Sequence, residues 1–154
     1  MSHTQVLKHV RAVWSDFLQL SGLEPTLLSQ LSIDSAERGK VRLGLTVAKE
    51  HTNRLQILHG GTIASLVDLG GSMAVASSGA FATGVSTDIN VSYIGSGGKI
   101  GNKIIMDCVL DNMGRSLAYT SVDFYNASDL SLFARGRHTK YIKHALKDPR
   151  NVEF

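Results

Sequence analysis

Thirty-three residues separate Arg54 from Asp88, and only one of them, Asp68, carries a full charge. An isolated carboxylate among small and apolar side chains is costly to bury unless it is paired, neutralised or used. Used, it would be a general base for water or a nucleophile, and burial would raise its basicity. Satisfied by hydroxyls or backbone N–H groups, it would be a structural residue. The residues alone leave both readings open. Ahead of it, His59-Gly60-Gly61 stands where a helix should begin. The first N–H groups of a helix lack partners and carry the positive end of its dipole. Gly60 has no side chain to shield its N–H, which can therefore donate to an oxygen that gains negative charge. A glycine needed only for a tight turn would look the same.

Spacing constrains how the two can act together. Eight residues of helix span ~12 Å at ~1.5 Å per residue. One reacting carbonyl cannot touch both Gly60 and Asp68 of one chain. If both act, they come from two chains meeting at a two-fold axis with their helices antiparallel. Such a dimer would also cover a sheet edge and the small-residue face of the helix. Asn53, in the loop before the helix, and Ser86, beside Asp88 and Asn90, can each orient a water or a carbonyl. His59 is a candidate base, since the histidine side chain ordinarily changes charge near neutrality, although a residue just before a helix also suits packing or capping. Basic residues gather late, at Lys99, Lys103, Arg115, Arg135, Arg137, Lys140 and Lys143. They read as a solvated face or as contacts to a phosphate-bearing ligand.

The elements that must position these groups follow from periodicity. Val6, Val10, Val13, Trp14, Phe17 and Leu18 recur at helical spacing, which predicts a helix over about 4–20, ended by Ser21-Gly22. A short turn at 24–30 and a strand near 31–35 follow. Val41, Leu43, Leu45 and Val47 alternate with Arg42, Gly44 and Thr46 as a half-buried strand. Residues 51–58 read as a loop. Ile63, Leu66, Val67, Met73 and Ala74 then mark a long buried helix, kept thin by Gly70, Gly71 and its Ala and Ser positions. Four blocks of period two follow. They are Val85 to Tyr93, Ile104 to Leu110, Ala118 to Phe124, and Leu130, Leu132, Ala134, Gly136, His138 and Lys140. Their turns are 95–98, 111–115 and 126–129. Short turns predict antiparallel pairing of successive strands in a meander. The class is α+β, an antiparallel sheet with its helix on one face.

Composition bounds the rest. A chain of 154 residues with 43% hydrophobic and 19% charged residues suits one globular domain over 1–154. It would comprise an N-terminal helical segment over 1–30 and a tail over 144–154. The single Cys108 excludes an internal disulfide and any multi-cysteine zinc site. A net charge of +3 suits an anionic partner but does not argue for nucleic acid. No apolar run is long enough to span a bilayer. The first 15 residues hold Lys8 and Arg11 and no acid up to Ser15, as an amphipathic helix or a weak mitochondrial presequence would. A cytoplasmic or mitochondrial, non-secreted protein is expected. There is no P-loop, GxGxxG, HExxH, GxSxG or CxxC, and nothing points to a metal or redox cofactor.

The segments HTNRLQILHGGTIASLVD, GVSTDINVSY, TSVDFYN and ARGRHTKYI resemble the hotdog-fold acyl-CoA thioesterases. They are most similar to the small eukaryotic thioesterase-superfamily-member branch, kin of the phenylacetate-type bacterial enzymes. The resemblance runs from His51 to Ile142. It implies a long central helix wrapped by an antiparallel sheet, and a homodimer as catalytic unit, commonly in a dimer of dimers (a homotetramer). It implies hydrolysis of a medium- to long-chain or aryl acyl-CoA to free acid and CoA in fatty acid metabolism, with CoA as part of the substrate and no cofactor. By position it makes Asp68 the acid that activates water or attacks directly. It makes Gly60 and Asn53 the donors to the thioester oxygen, His59 the histidine of HGG, and Ser86 the residue positioning the nucleophile with Asp68 of the facing chain. It assigns CoA contacts to Tyr93, Lys99, the turn Asn112, Met113, Gly114, Arg115, Ser116 and Leu117, and Tyr141. The Tyr93–Lys99 turn is longer and richer in glycine than the family's proline-containing version, and Tyr141 replaces a more usual histidine. Two alternatives are a hotdog enoyl- or hydroxyacyl-CoA hydratase-dehydratase, for which a proline-containing histidine motif is missing, and a non-catalytic acyl-CoA binding module.

Overall fold

The computed structural model describes residues 3–154. Helix α1, His3–Leu20, buries Val6, Val10, Val13 and Trp14, the expected stripe. A short α2, Leu23–Leu27, follows. Strands β1, Ser32–Glu37, and β2, Lys40–Thr46, form a hairpin. Its turn places Gly39 at φ 84, where a side chain would be strained. Helix α3, Gly60–Ala76, precedes β3, Val85–Tyr93, β4, Lys103–Met113, β5, Leu117–Asn126, and β6, Leu132–Tyr141. None of these helices is long and apolar enough to cross a membrane.

The strands form one antiparallel sheet in the order β1-β2-β4-β5-β6-β3. The meander expectation therefore fails at its first turn. β3 pairs with β6, and the glycine-rich stretch after Tyr93 is a crossover, not a hairpin. Alternation marks a strand and its inward face, but it does not choose a partner. The crossover is tied to the entry of α3, where Leu58 N–H donates to Gly98 O at 3.1 Å. Leu130 lies outside β6, in the turn at φ 60.

Helix α3 lies across the inner face of the sheet and buries Leu66, Val67, Leu69 and Met73 there. Its glycines set the distance. A Cβ on Gly70 would lie 2.8 Å from Cys108 Sγ, and one on Gly71 would lie 2.5 Å from His138 Nδ1 and 2.6 Å from Thr120 Oγ1. Gly70 and Gly71 are therefore taken up by the chain's own sheet, while Gly61 is exposed and Ala64 and Ser65 are half-buried on the other side of the helix. Cys108 is fully buried, and burial pushes its thiol far above the usual range, so it packs as a small apolar group.

The sheet edge is open, as expected. None of the nine residues of β3 is buried, and only Val91 is half-buried. The tail beyond β6 closes over the loop between α3 and β3. Phe81 N–H donates to Asn151 Oδ1 at 2.7 Å, and the Arg150 guanidinium stacks 4.1 Å from the Phe81 ring.

A Gly71→Ala substitution tests the close approach. Alanine gains about 1 kcal/mol of helix propensity, but forcing a methyl into a packed contact costs about 1–3 kcal/mol. The neighbours here are a ring nitrogen and a hydroxyl already held by hydrogen bonds. Net destabilisation is expected, read as a lower urea midpoint with unchanged slope.

Candidate active site

The loop before α3 is built by two histidines. His51 is buried, and its ring accepts Ala48 N–H at Nδ1 (2.9 Å) and donates from Nε2 to Leu27 O (2.7 Å). Its carbonyl accepts His59 N–H at 2.8 Å and the Thr62 hydroxyl at 3.1 Å. One residue thus fixes both ends of the loop. His59 is the N-cap of α3, its Nδ1 accepting Gly61 N–H at 2.7 Å. That bond occupies the lone pair a base would use, so capping, not proton transfer, is the role the structure gives His59.

Capping leaves Gly60 as the first helical residue, and no described acceptor takes its N–H. Tyr93 lies over it. The phenol donates to Gly60 O at 2.8 Å, and a Cβ on Gly60 would meet the ring at 3.3 Å. Asn53 Oδ1 accepts from Leu55 N–H (2.9 Å) and more weakly from Ile57 N–H (3.5 Å). The turn uses up the oxygen and leaves the amide NH2 free to donate. Asn53 and His59 face a groove of about 690 Å³ that also meets Lys49, Arg54 and Gln56. A free N–H at a helix N-terminus and a free loop amide are the kinds of donor that can hold an oxyanion.

Asp68 projects from the middle of α3 with its side chain half exposed. The expectation of a carboxylate buried within its own chain is therefore incorrect. Beside it stands a residue that sequence reasoning passed over. His138, on β6, is fully buried, and its Nε2 lies 3.8 Å from Asp68 Oδ1 and 2.8 Å from Ser86 Oγ. Its Nδ1 lies 3.1 Å from the backbone O of Asp68. A carbonyl only accepts, so Nδ1 carries the proton and the neutral ring has a bare Nε2. Ser86 O–H must then donate to Nε2, which leaves the serine lone pairs outward and free to accept. Burial, helped by the Lys140 charge, lowers the imidazole to about pH 4. The ring is neutral at pH 7, and its contact with Asp68 is not an ion pair.

Asp68 and Ser86 of the same chain thus meet at one ring nitrogen, and no facing chain is needed to pair them. The other expected contacts fall into two groups. Tyr93 and the exposed Lys99 sit at the Gly60 end of α3. The turn Asn112–Leu117 lies at the far end, where Leu117 and Val85 both pair with Tyr141. Among the late basic residues, Arg135 pairs with Asp123 at 3.0 Å and Lys103 with Asp34 at 3.5 Å. These two belong to a solvated face.

This architecture is the hotdog fold, and the chain belongs to the thioesterase superfamily, whose family model matches residues 55–132. Its reaction class is thioester hydrolysis. The chain is 47% identical over 150 residues to a putative esterase of Schizosaccharomyces pombe, covering 97% of this chain and 92% of the relative. It is 40% identical over 116 residues to human acyl-coenzyme A thioesterase 13, covering 75% and 82%. Among solved structures, zebrafish thioesterase superfamily member 2 superposes with a TM-score of 0.78 at 37% identity, covering 92% of this chain and 98% of that one.

The capping role of His59 separates two substitutions. His59→Ala removes the acceptor for Gly61 N–H and is expected to cost about 1 kcal/mol of stability, read by thermal unfolding. His59→Asn supplies another acceptor and is expected to restore stability and to hold turnover within about threefold. A proton-carrying imidazole would instead cost about 10²-fold or more in both variants.

Proposed function

We propose that this chain is an acyl-CoA thioesterase whose active site is completed by a second copy. The observation that carries the reading is the convergence of Asp68 and Ser86 on His138 while the unpartnered Gly60 N–H lies ~12 Å away along the same helix. Each chain supplies one half-site for nucleophile activation and one half-site for the oxyanion. A two-fold axis beside α3, with β3 edges adjoining, brings the Gly60 end of one chain to the Asp68 end of the other. The open edge of β3 supports that pairing, because an unpaired strand of this length is a template for another strand. The divided CoA contacts support it too. Tyr93 and Val85 lie eight residues apart on one strand, ~26 Å at ~3.3 Å per residue. Across the axis, Tyr93 and Lys99 of one chain approach the Asn112–Leu117 turn and Tyr141 of the other.

In this reading a water donates one hydrogen to Asp68 and the other to the outward lone pair of Ser86. Its own lone pair then faces the thioester carbonyl. Asp68 takes a proton as the water attacks. The tetrahedral oxyanion is held by Gly60 N–H and the Asn53 amide, with the helix dipole behind them. Collapse breaks the carbon–sulfur bond, the thiolate leaves with CoA, and the proton on Asp68 passes to sulfur or solvent. The family resemblance supports a medium- to long-chain or aryl acyl group.

Thiol release from a panel of acyl-CoAs, read with a thiol-reactive dye, tests the activity and ranks the acyl groups. Asp68→Asn is expected to lower turnover by roughly 10²–10⁴-fold. Near-normal turnover in that variant would remove Asp68 as the base.

The shared site has its own test. Gly60→Pro deletes the N–H at a first helical position, where proline is tolerated, and His59 is already extended at φ −69, ψ 138. A loss of roughly 10²–10³-fold is expected. When the two inactive variants are unfolded and refolded together, half of the dimers carry one intact site, and about a quarter of wild-type activity returns. No recovery, or an active monomer by light scattering, would reject the two-chain site.

A further inference from the structure

Lys140 is 3% exposed, yet nothing in the reaction above uses it. Its Nζ donates to Ser72 Oγ at 2.8 Å, deep between α3 and β6. The bond repeats the contact beside it. Asp68 and Ser72 are four residues apart on α3, which is ~6 Å of rise. His138 and Lys140 are two apart on β6, which is ~6.7 Å. The near match lets the helix and the strand meet in two rungs, Asp68 with His138 and Ser72 with Lys140. Every buried side-chain nitrogen and oxygen among the described residues has a partner, this ammonium included.

A buried cation is an expensive way to fill space. Removing an ammonium from water costs several kcal/mol, and an apolar side chain of similar volume would pack the same gap. Burial draws Lys140 down to about 8, while Asp68 pulls the other way, so at pH 7 it remains mainly charged. The groups facing the pair are few. Asp68 comes from α3, and Asp88 from β3 acts on His138. From β5, Ala118 and Thr120 are paired opposite Lys140 and His138, and neither carries charge.

We propose that Lys140 is a positioning residue of the active site: anchored on Ser72, its ammonium adds to the burial of the His138 ring in keeping that ring neutral and thereby directs the Ser86 hydroxyl. With the ring neutral, Ser86 donates to Nε2 and offers its lone pairs to the attacking water. With the ring protonated, Nε2–H donates to Ser86, and the serine hydrogen turns outward, where it competes with the water for Asp68. The cation therefore sets how far into acid the productive arrangement persists. This inference rests on the thioester-hydrolase reading, but its first readout does not.

The experiment compares wild type with Lys140→Met, which keeps the stem and removes the charge, and Lys140→Gln, which keeps a donor for Ser72. The His138 imidazole, assigned with a His138→Asn reference, is titrated by NMR. Its midpoint is expected to rise by roughly one to two pH units in both variants. The acid limb of kcat/KM for an acyl-CoA should move upward with it, a loss of about 2- to 10-fold at pH 5 that vanishes by pH 8. The thermal midpoint of Lys140→Met should stay level or rise. A purely structural lysine would give the opposite pattern, a lower thermal midpoint with the His138 titration and the pH profile unmoved, and that result overturns the proposal. Loss of the fold in both variants would also overturn it. A shifted His138 titration without any acyl-CoA hydrolysis would leave the linkage standing and reject the reaction assigned to it.

Discussion

The Nδ1–H of His138 donates to the backbone carbonyl of Asp68, and most of the site follows from that bond. It fixes the tautomer of a buried ring, so the opposite nitrogen can only accept. It brings strand β6 against the middle of α3, close enough that Gly71, three residues on, has no room for a methyl group. It also sets the ring between a carboxylate and a hydroxyl that come from different elements. Thr120 Oγ1 donates to the carbonyl of His138 at 2.7 Å and holds the backbone from the β5 side. A carboxylate alone on α3 would be one charge in an apolar segment. With the imidazole behind it, it becomes part of a polar seam through the core.

The entry to α3 obeys a different constraint, the disposal of the first helical N–H groups. His59 absorbs one of them and His51 orders the loop that delivers the cap. Of the first-turn donors without a described acceptor, on Gly60 and Thr62, the one on Gly60 has no side chain to shield it, whereas Thr62 is buried. Tyr93 closes the other side by taking the Gly60 carbonyl. A donor fixed in this way costs little reorganisation when charge develops in front of it.

Much of this was legible in the sequence. Periodicity located both long helices and the later strands, and the turn formers separated them. The eight-residue spacing of Gly60 and Asp68 already set the two groups ~12 Å apart along one helix. Strand order was not legible, because the same alternation serves β3 whether it pairs with β4 or β6. The exposure of Asp68 was not legible either, since an apolar neighbourhood in sequence wraps around a helix and need not surround one side chain. His138 and Lys140 were missed as site residues despite a visible signal. Both fall in phase with Leu132, Ala134 and Gly136, on the face that turns inward. Two ionisable residues on the buried face of a strand require partners, and the partners lie on α3 at the matching interval.

That interval also bounds the polar seam. Two turns of different gauge, ~6 Å per four helical residues and ~6.7 Å per two strand residues, act as a vernier. They coincide for two graduations and then slip, and the helix rotates ~40° further with every four residues. Continuing the count past Ser72 and Lys140 reaches Ala76 and Ile142, both fully buried and apolar. The chain thus stops placing polar groups where the scales fall out of step. A network of this kind cannot lengthen one rung at a time, and further chemistry would have to enter from a loop or from another chain.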